Sequence, residues 1–507
     1  MTETPRSIAE VFDATVERSG DAPALGLLDG GELAWMTWAE LGAMVHPVTT
    51  PLKPGDYLPH SPRTGLTWVL EELVAQTRGA ITGPSTSGVA CANFLPGSAF
   101  APEVAAIVPT SGTGGEPRCV ALSQENLVSN TIAVAETIAA SVADLEVGDV
   151  GDGRDEDRSE VRLSFLPFSH LYARVCDLYC WVYRGSRMVL AESRETIFRD
   201  CKIARPTTLN GVPYFFQKAI DLAERDGVSL RELLGGRIRR CYSGGAALSE
   251  AVQQRFAGEG IPLMSGYGLS EASPVVTVST VKANKPGTVG KPLPGVEVRI
   301  AADGEVLVRG PNVMLGYLGA DGAIDQPATA EVLRDGWLHT GDRGELDADG
   351  FLRIIGRKKE LIVLATGKNV SPSGVEARLA ASPWIEQVAV VGEGCNGLSA
   401  LIVPNPDRVR AEVRRRRLWV WSKRRALAHP AIRQVFANEI QTQLAGRPPE
   451  EQVRGFQLLG RAFSAELGEI TAKLSLRRPV IEKNFAREIE AMNRHATRQS
   501  TIATTAR

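Results

Sequence analysis

Residues 109–118 read PTSGTGGEPR. Thr110, Ser111 and Thr113 supply hydroxyls, Gly112, Gly114 and Gly115 let the backbone approach a ligand closely, and Arg118 is a lone cation. Exposed backbone N–H groups and small hydroxyls can wrap a polyphosphate, although the string lacks the G-x-x-x-x-G-K-[ST] spacing of a Walker A loop. Taken alone it serves equally well as a glycine turn. Four more strings follow it: YSGGAAL at 242–248, GYGLSE at 266–271, GWLHTGD at 336–342 and GRKKELI at 356–362. The first two sit at the ends of strand-like runs, where open α/β sheets hold their ligands. Within them Tyr267 offers an aromatic face, Ser270 a hydroxyl, and Glu271 a hard carboxylate suited to Mg²⁺. A structural turn at 242–248, a core tyrosine and a helix N-terminal charge are the plainer readings of the same residues.

The elements that must position these groups are legible as hydrophobic periodicity. Helices are expected at 7–16, 38–45, 68–76 and 124–143, with short strands at 24–28 and 104–108. From residue 161, strands (161–166, 188–190, 207–209, 238–243, 263–267) alternate with helices (173–183, 196–202, 214–225, 250–257), which is the signature of βαβ units and a parallel sheet. After Gly287 the texture changes to short β-runs at 296–300, 305–308, 344–346 and 352–355. The segment 149–160 is acidic and glycine-containing and reads as an exposed loop. The fold class is therefore α/β: a large N-terminal domain (1–356) of βαβ-type sheets with a small β module (287–356), then a small mobile α+β C-terminal domain (357–495) and a disordered tail (496–507).

At 507 residues the chain exceeds what one hydrophobic core serves. A hydrophobic fraction of 43% with 23% charged residues is that of an ordinary globular protein, and a net charge of -2 argues against nucleic acid as a partner. The N-terminus MTETPRSIAEVFD is too polar for a signal peptide, and no apolar run is long enough to span a bilayer. Seven cysteines without CxxC or His-paired metal spacing suggest reduced, mostly buried thiols in a cytoplasmic protein. Cys176 and Cys180, one helical turn apart, read as core packing. The basic, tryptophan-bearing run 414–425 (RRRRLWVWSKRR) reads as a solvated helix face, or as a contact with a membrane surface or a CoA phosphate.

In this order the five strings resemble the AMP-forming acyl-adenylating superfamily of acyl-CoA synthetases, firefly luciferases and peptide-synthetase adenylation domains. The resemblance covers roughly residues 105–490. It is nearest to the long-chain fatty acyl-CoA synthetase branch in LSFLPFSH (163–170), RPT (205–207) with GVP (211–213), and GRKKE (356–360). It implies that ATP is held at its β- and γ-phosphates by Thr110, Ser111, Gly112, Thr113 and Gly114, with Mg²⁺ on Glu271 and Thr110. Tyr267 would pack on adenine beside Gly244, Gly245 and Ala246, with Gly268 next to it, and Ser270 would contact the α-phosphate. Asp342 and Arg357 would reach the ribose, Lys359 would be the hinge of the C-terminal domain, and His170 would lie near the acyl site. The implied chemistry is attack of a carboxylate on the α-phosphorus, release of pyrophosphate, and transfer of the acyl group to CoA or a carrier thiol. Both reactants in the first step are anions, so cations must neutralise them.

The chain departs from that pattern in three places. The family's C-terminal catalytic lysine aligns with Ser475, and Lys473, two residues earlier, is the candidate replacement. In an extended segment, residues two apart point to the same side. Thr110 begins the phosphate loop earlier than full-length acyl-CoA synthetases do, implying a shortened first subdomain. Arg118-Cys119 stands where lysine and glycine are usual. These departures leave two alternatives beside fatty-acyl activation: adenylation of another acid such as nitrite in secondary metabolism, and a catalytically weak nucleotide-binding relative with a regulatory role.

Overall fold

The computed structural model describes residues 4–46, 52–61, 64–84, 100–110, 118–142, 160–464, 466–470 and 476–492. The chain divides into two compact units. One comprises Met1–Thr340 with Gly344–Ile354, the other Gly341–Arg343 with Ile355–Arg507.

The first unit is built on a nine-stranded sheet. Its centre is parallel: Leu263–Gly268, Arg240–Ser243, Thr208–Gly211, Val161–Ser164, Arg187–Leu190 and Pro23–Asp29 lie side by side in that order. Antiparallel strands Val275–Val278 and Glu32–Thr37 extend the two ends. A second, five-stranded sheet runs Gly316–Leu318, Cys119–Ser123, Val104–Pro109, Ile81–Gly83 and Tyr57–Pro59. The β module is a further five-stranded sheet that includes Glu297–Ile300, Glu305–Arg309 and the ten-residue strand Trp337–Leu346. The expected α/β class with βαβ-type sheets is what the chain forms. Helix starts follow local chemistry. Trp38–Val45 opens with a capping box in which Thr37 and Glu40 satisfy each other's backbone N–H groups. Glu250–Ala257 opens with the Ser249 hydroxyl accepting from the Ala251 N–H.

The helix expected over 173–183 is real but not regular. It runs from Leu171 to Arg184 with a π-helical stretch, Arg174–Tyr179, in its middle. Charge explains what that stretch buries. Asp177 is fully buried and accepts from Asn210 Nδ2 at 2.7 Å and Ser164 Oγ at 3.1 Å. Arg162 reaches the Cys176 carbonyl and pairs with Glu160 at 3.0 Å. Buried charges persist only when paired in this way. Cys176 and Cys180 are buried free thiols, as their spacing implied, and burial pushes the Cys180 thiol up to about 12. The expectation of reduced cysteines fails at Cys119, which is disulfide-bonded. Its strand position carries no spacing motif that would have revealed this, and the remaining cysteine, Cys91, lies outside the described residues. No described helix is long and apolar enough to cross a membrane.

The second unit packs its own core. A three-stranded sheet of Ile385–Val391, Leu398–Pro404 and Val453–Leu458 carries Val390, Ala400 and Ile402 against Leu379, Ile432 and Phe436 from helices Pro372–Leu379 and Pro430–Gln443. The expected acidic loop at 149–160, apart from Glu160, and the expected tail at 496–507 lie outside the described residues.

Candidate active site

In the first unit, strands Thr208–Gly211 and Arg240–Ser243 end in register, Ser243 opposite Gly211, while Leu263–Gly268 pairs with Ser265 opposite Ser243 and runs three residues further to carry Tyr267. Their C-terminal edge therefore brings Gly211, the 244–246 turn and Tyr267 together. The Gly244 N–H donates to the Gly211 carbonyl at 3.1 Å. A Cβ on Gly244 would lie 2.9 Å from the Tyr172 ring, so only glycine lets the turn pass beneath that tyrosine. Gly244 is buried, whereas Gly245 and Ala246 are exposed. Tyr267 is half-buried at a bulge between it and Gly268. At Gly268 a Cβ would sit 1.8 Å from the Pro274 carbonyl oxygen, so no side chain fits.

The segment after Gly268 forms a tight turn, Ser270–Ala272, that presents Glu271. The Tyr317 hydroxyl donates to Glu271 Oε1 at 2.9 Å. Tyr317 lies on Gly316–Leu318, which pairs with the strand beginning at Cys119. The Arg118 guanidinium stacks 5.0 Å from the Tyr317 ring centroid and pairs with Glu331 at 2.8 Å. Arg118, Tyr317 and Glu271 thus form one continuous polar chain that reaches Thr110, whose N–H donates to the Arg118 carbonyl at 2.8 Å and whose Oγ1 accepts from the Arg118 N–H at 3.1 Å. Ser111, Gly112, Thr113 and Gly114 lie outside the described residues. Neither Tyr317 nor Tyr172 was singled out by sequence. Each stands in an apolar run, and only strand register and helix placement bring it to this edge.

His170 caps the helical segment that carries Tyr172, accepting from the Arg174 N–H through its carbonyl at 3.1 Å. The Tyr172 hydroxyl donates to the Tyr242 carbonyl at 3.4 Å, so His170 lies two residues from a side chain anchored at the glycine turn. Burial raises the Tyr172 phenol well above its usual value, leaving it a neutral donor.

In the second unit Asp342 is buried on the strand Trp337–Leu346, and Arg357 Nε lies 3.1 Å from its Oδ1. Lys359 is exposed in the following turn, Lys358–Glu360. The Glu360 carboxyl is raised by burial, against the pull of Arg478 and Arg357. Ile470 and Leu476 form an antiparallel bridge, and Lys473 and Ser475 between them lie outside the described residues. Among the described residues no three His, Cys, Asp or Glu side chains form a metal cage. A lone carboxylate such as Glu271 still suits Mg²⁺, which characteristically takes one or two carboxylates plus substrate phosphates and water.

A glycine-lined edge at the C-terminal ends of parallel strands, a carboxylate bonded to Tyr317, and a separate unit carrying an Asp–Arg pair suit a two-part enzyme of the α/β class. Residues 70–318 match the AMP-binding enzyme family and residues 359–497 its C-terminal domain family. Long-chain-fatty-acid–CoA ligase FadD15 of Mycobacterium tuberculosis is 32% identical over 434 residues, covering 76% of this chain and 69% of that protein. The putative fatty-acid–CoA ligase fadD11 of the same species is 31% identical, covering 77% and 73%. Among solved structures, the adenylation domain of a Mycobacterium chelonae carboxylate reductase superposes with a TM-score of 0.75 at 18% identity, covering 97% of this chain and 91% of that one. The o-succinylbenzoate CoA synthetase of Bacillus subtilis, solved with its acyl-adenylate, superposes at 0.69 and 19% identity, covering 92% and 97%. The chain belongs to the AMP-binding, adenylate-forming enzyme family, and it is an AMP-forming acid ligase of acyl-CoA synthetase type.

Proposed function

We propose that this ligase activates a fatty-acyl carboxylic acid, with ATP and Mg²⁺, and passes the acyl group to CoA. The observation that carries the reading is the strand-end edge of Gly211 and Gly244 with the longer strand bearing Tyr267, together with the Glu271–Tyr317–Arg118 chain. The similarity to fatty-acid–CoA ligases supports the choice of acid and acceptor.

Tyr267 packs on adenine, and the backbone of Gly244, Gly245 and Ala246 lines that pocket. Ser270 meets the α-phosphate, and Thr110 with the 111–114 loop holds the β- and γ-phosphates. Glu271 and Thr110 would hold Mg²⁺, which would supply positive charge against the phosphates. Tyr317, by donating to one Glu271 oxygen, would orient the carboxylate. His170 and Tyr172 border the acid. Asp342 accepts from the ribose hydroxyls, its carboxylate oriented by Arg357. Lys359 is the pivot on which the 357–495 domain changes between the adenylating and thioester-forming steps. Lys473 supplies the cation that Ser475 lacks; deleting such a stabiliser costs on the order of 10²–10³ in rate.

The test is AMP release from ATP·Mg²⁺, read by mass spectrometry across short, long and aromatic acids and nitrite, with and without CoA. Release that depends on a long-chain acid and yields its CoA thioester supports the reading. Release driven by nitrite or an aromatic acid alone overturns the substrate class. ATP binding without release from any acid points to the non-catalytic relative. A Lys473→Ala variant of unchanged rate would remove that residue from the mechanism.

A further inference from the structure

The run 414–425 is not a plain solvated helix face. Helix Pro406–Arg415 ends at Arg416, and Arg417 takes the left-handed conformation at φ 53°. The Leu418 N–H returns to the Val413 carbonyl at 3.0 Å and the Arg417 N–H to that of Arg414 at 3.0 Å, the two bonds of a Schellman cap. The chain then leaves the helix through a tight turn, in which the Val420 N–H donates to the Leu418 carbonyl at 3.1 Å. Leu418 packs on the core of the second unit and Val420 is half-buried, while Trp419 and Trp421 face out. Trp419 is 89% exposed and Trp421 64% exposed, their rings edge-to-face at 5.6 Å.

Large indoles at such exposure are uncommon on a soluble surface and mark a binding face. Charge identifies the partner. Between residues 407 and 425 nine Lys and Arg oppose only Asp407 and Glu412, a local net of +7 on a chain whose total is -2. Glu412 is already taken by Arg415 and Arg416, at 2.6 and 2.5 Å. Arg414, Arg417, Lys423 and Arg424 are exposed and have no acidic partner among the described residues. An indole exposed at 89% lies in no pocket, so a small phosphate ligand such as the CoA headgroup has nothing concave to enter. Paired tryptophans framed by unpaired cations suit a surface that is apolar beneath and anionic above. Indoles settle at the headgroup boundary, and each nearby cation strengthens attachment to anionic lipid about fivefold.

We infer that the exposed Trp419–Trp421 edge, with its flanking arginines, seats the second unit on an anionic lipid bilayer. The contact is peripheral and reversible. It uses none of the residues assigned to nucleotide and acid, so its failure would leave the ligase reading untouched.

Sedimentation of the full chain with vesicles of phosphatidylcholine containing phosphatidylglycerol, against phosphatidylcholine alone, tests this. The protein should pellet with the anionic vesicles, show a blue-shifted tryptophan emission there, and be released by high salt. The Trp419→Ser/Trp421→Ser variant should lose at least about tenfold in partition, and Arg414→Gln/Arg424→Gln about fivefold per cation removed. Both variants should keep the wild-type melting temperature and AMP release from a water-soluble acid. Wild-type protein that stays in the supernatant, that pellets equally with neutral vesicles, or whose variants pellet unchanged overturns the inference. Retention on heparin with no vesicle binding would assign the patch to soluble polyanions instead.

Discussion

The Asp342 carboxylate is buried yet held by the more exposed Arg357, an arrangement that fixes its direction while leaving the guanidinium accessible. Asp342→Ala should weaken ATP binding by at least about tenfold, since it removes a charge-assisted acceptor worth about 1.5–3 kcal/mol. Isothermal titration with ATP·Mg²⁺ reads this directly, and unchanged affinity would remove Asp342 from the site. At this scale the sequence offers candidates where residue type alone suggests the chemistry, as in the hydroxyls and glycines of 110–115, Glu271 and Asp342. It was silent where chemistry depends on company. Tyr317 is one apolar letter in MLGYLG, and only pairing of its strand with Cys119–Ser123 sets its hydroxyl against Glu271.

Elements were legible in proportion to their periodicity. The helices at 38–45 and 250–257 and the strand at 104–108 stand within a residue of expectation because amphipathic spacing and caps agree. The strand Glu32–Thr37 escaped notice because it is an edge, with Glu32, Ala34 and Trp35 open to solvent and little alternation to read. Ile81–Gly83 is too short to carry a pattern. The π-helical stretch was invisible because one inserted residue leaves the apolar texture of a helix intact. Two substitutions probe local geometry. Gly268→Ala forces a methyl onto the Pro274 carbonyl and should cost more than about 3 kcal/mol, a large fall in the melting temperature of the first unit. A wild-type melt would show that the turn can open. Arg417→Gly relieves a left-handed arginine and should stabilise the second unit by about 0.5–1 kcal/mol, raising its melting temperature by about 2–4 °C. Scanning calorimetry decides the sign.

For the molecule as a whole, acid should be the weak side of stability. In the first unit, His60 Nε2 lies 2.6 Å from Glu72, both fully buried, with Arg174 and Tyr179 closing the cluster. Burial holds the His60 imidazole below its usual value of 6.5. Burial also works against the Glu72 carboxylate, but Arg174, His60 and Tyr179 outweigh it and hold Glu72 at about 2. In the second unit Glu469, bonded by Arg461 through both oxygens at 2.6 Å, is likewise held at about 2. As pH falls below 6.5 for His60, and from 4.5 towards 2 for the two glutamates, the unfolded chain binds protons that the native state refuses, so stability drops. Asp177, pushed up to about 6 by burial, acts in the opposite sense between 6 and 3.8 and shields the upper part of that range. The melting temperature should therefore fall most steeply below pH 4.5. Glu72→Gln should flatten that slope for the first unit, and an unaltered slope would show the cluster is not its source.

The order of strands in the nine-stranded sheet also sets a schedule for synthesis. Pro23–Asp29, near the start of the chain, takes Arg187–Leu190 as its parallel neighbour, with Leu25 opposite Met188. Trp38 stacks on Trp181 at 4.6 Å, and the Thr15 hydroxyl donates to the Val182 carbonyl at 2.8 Å. At translation speeds of about 5–20 residues per second, the N-terminal hairpin waits roughly 10–30 s for these partners to leave the ribosome. During that interval one edge of the hairpin and the tryptophan face of its helix stand uncovered. The nascent chain therefore carries these uncovered surfaces well before the residues of the nucleotide edge at 211–271 have been made.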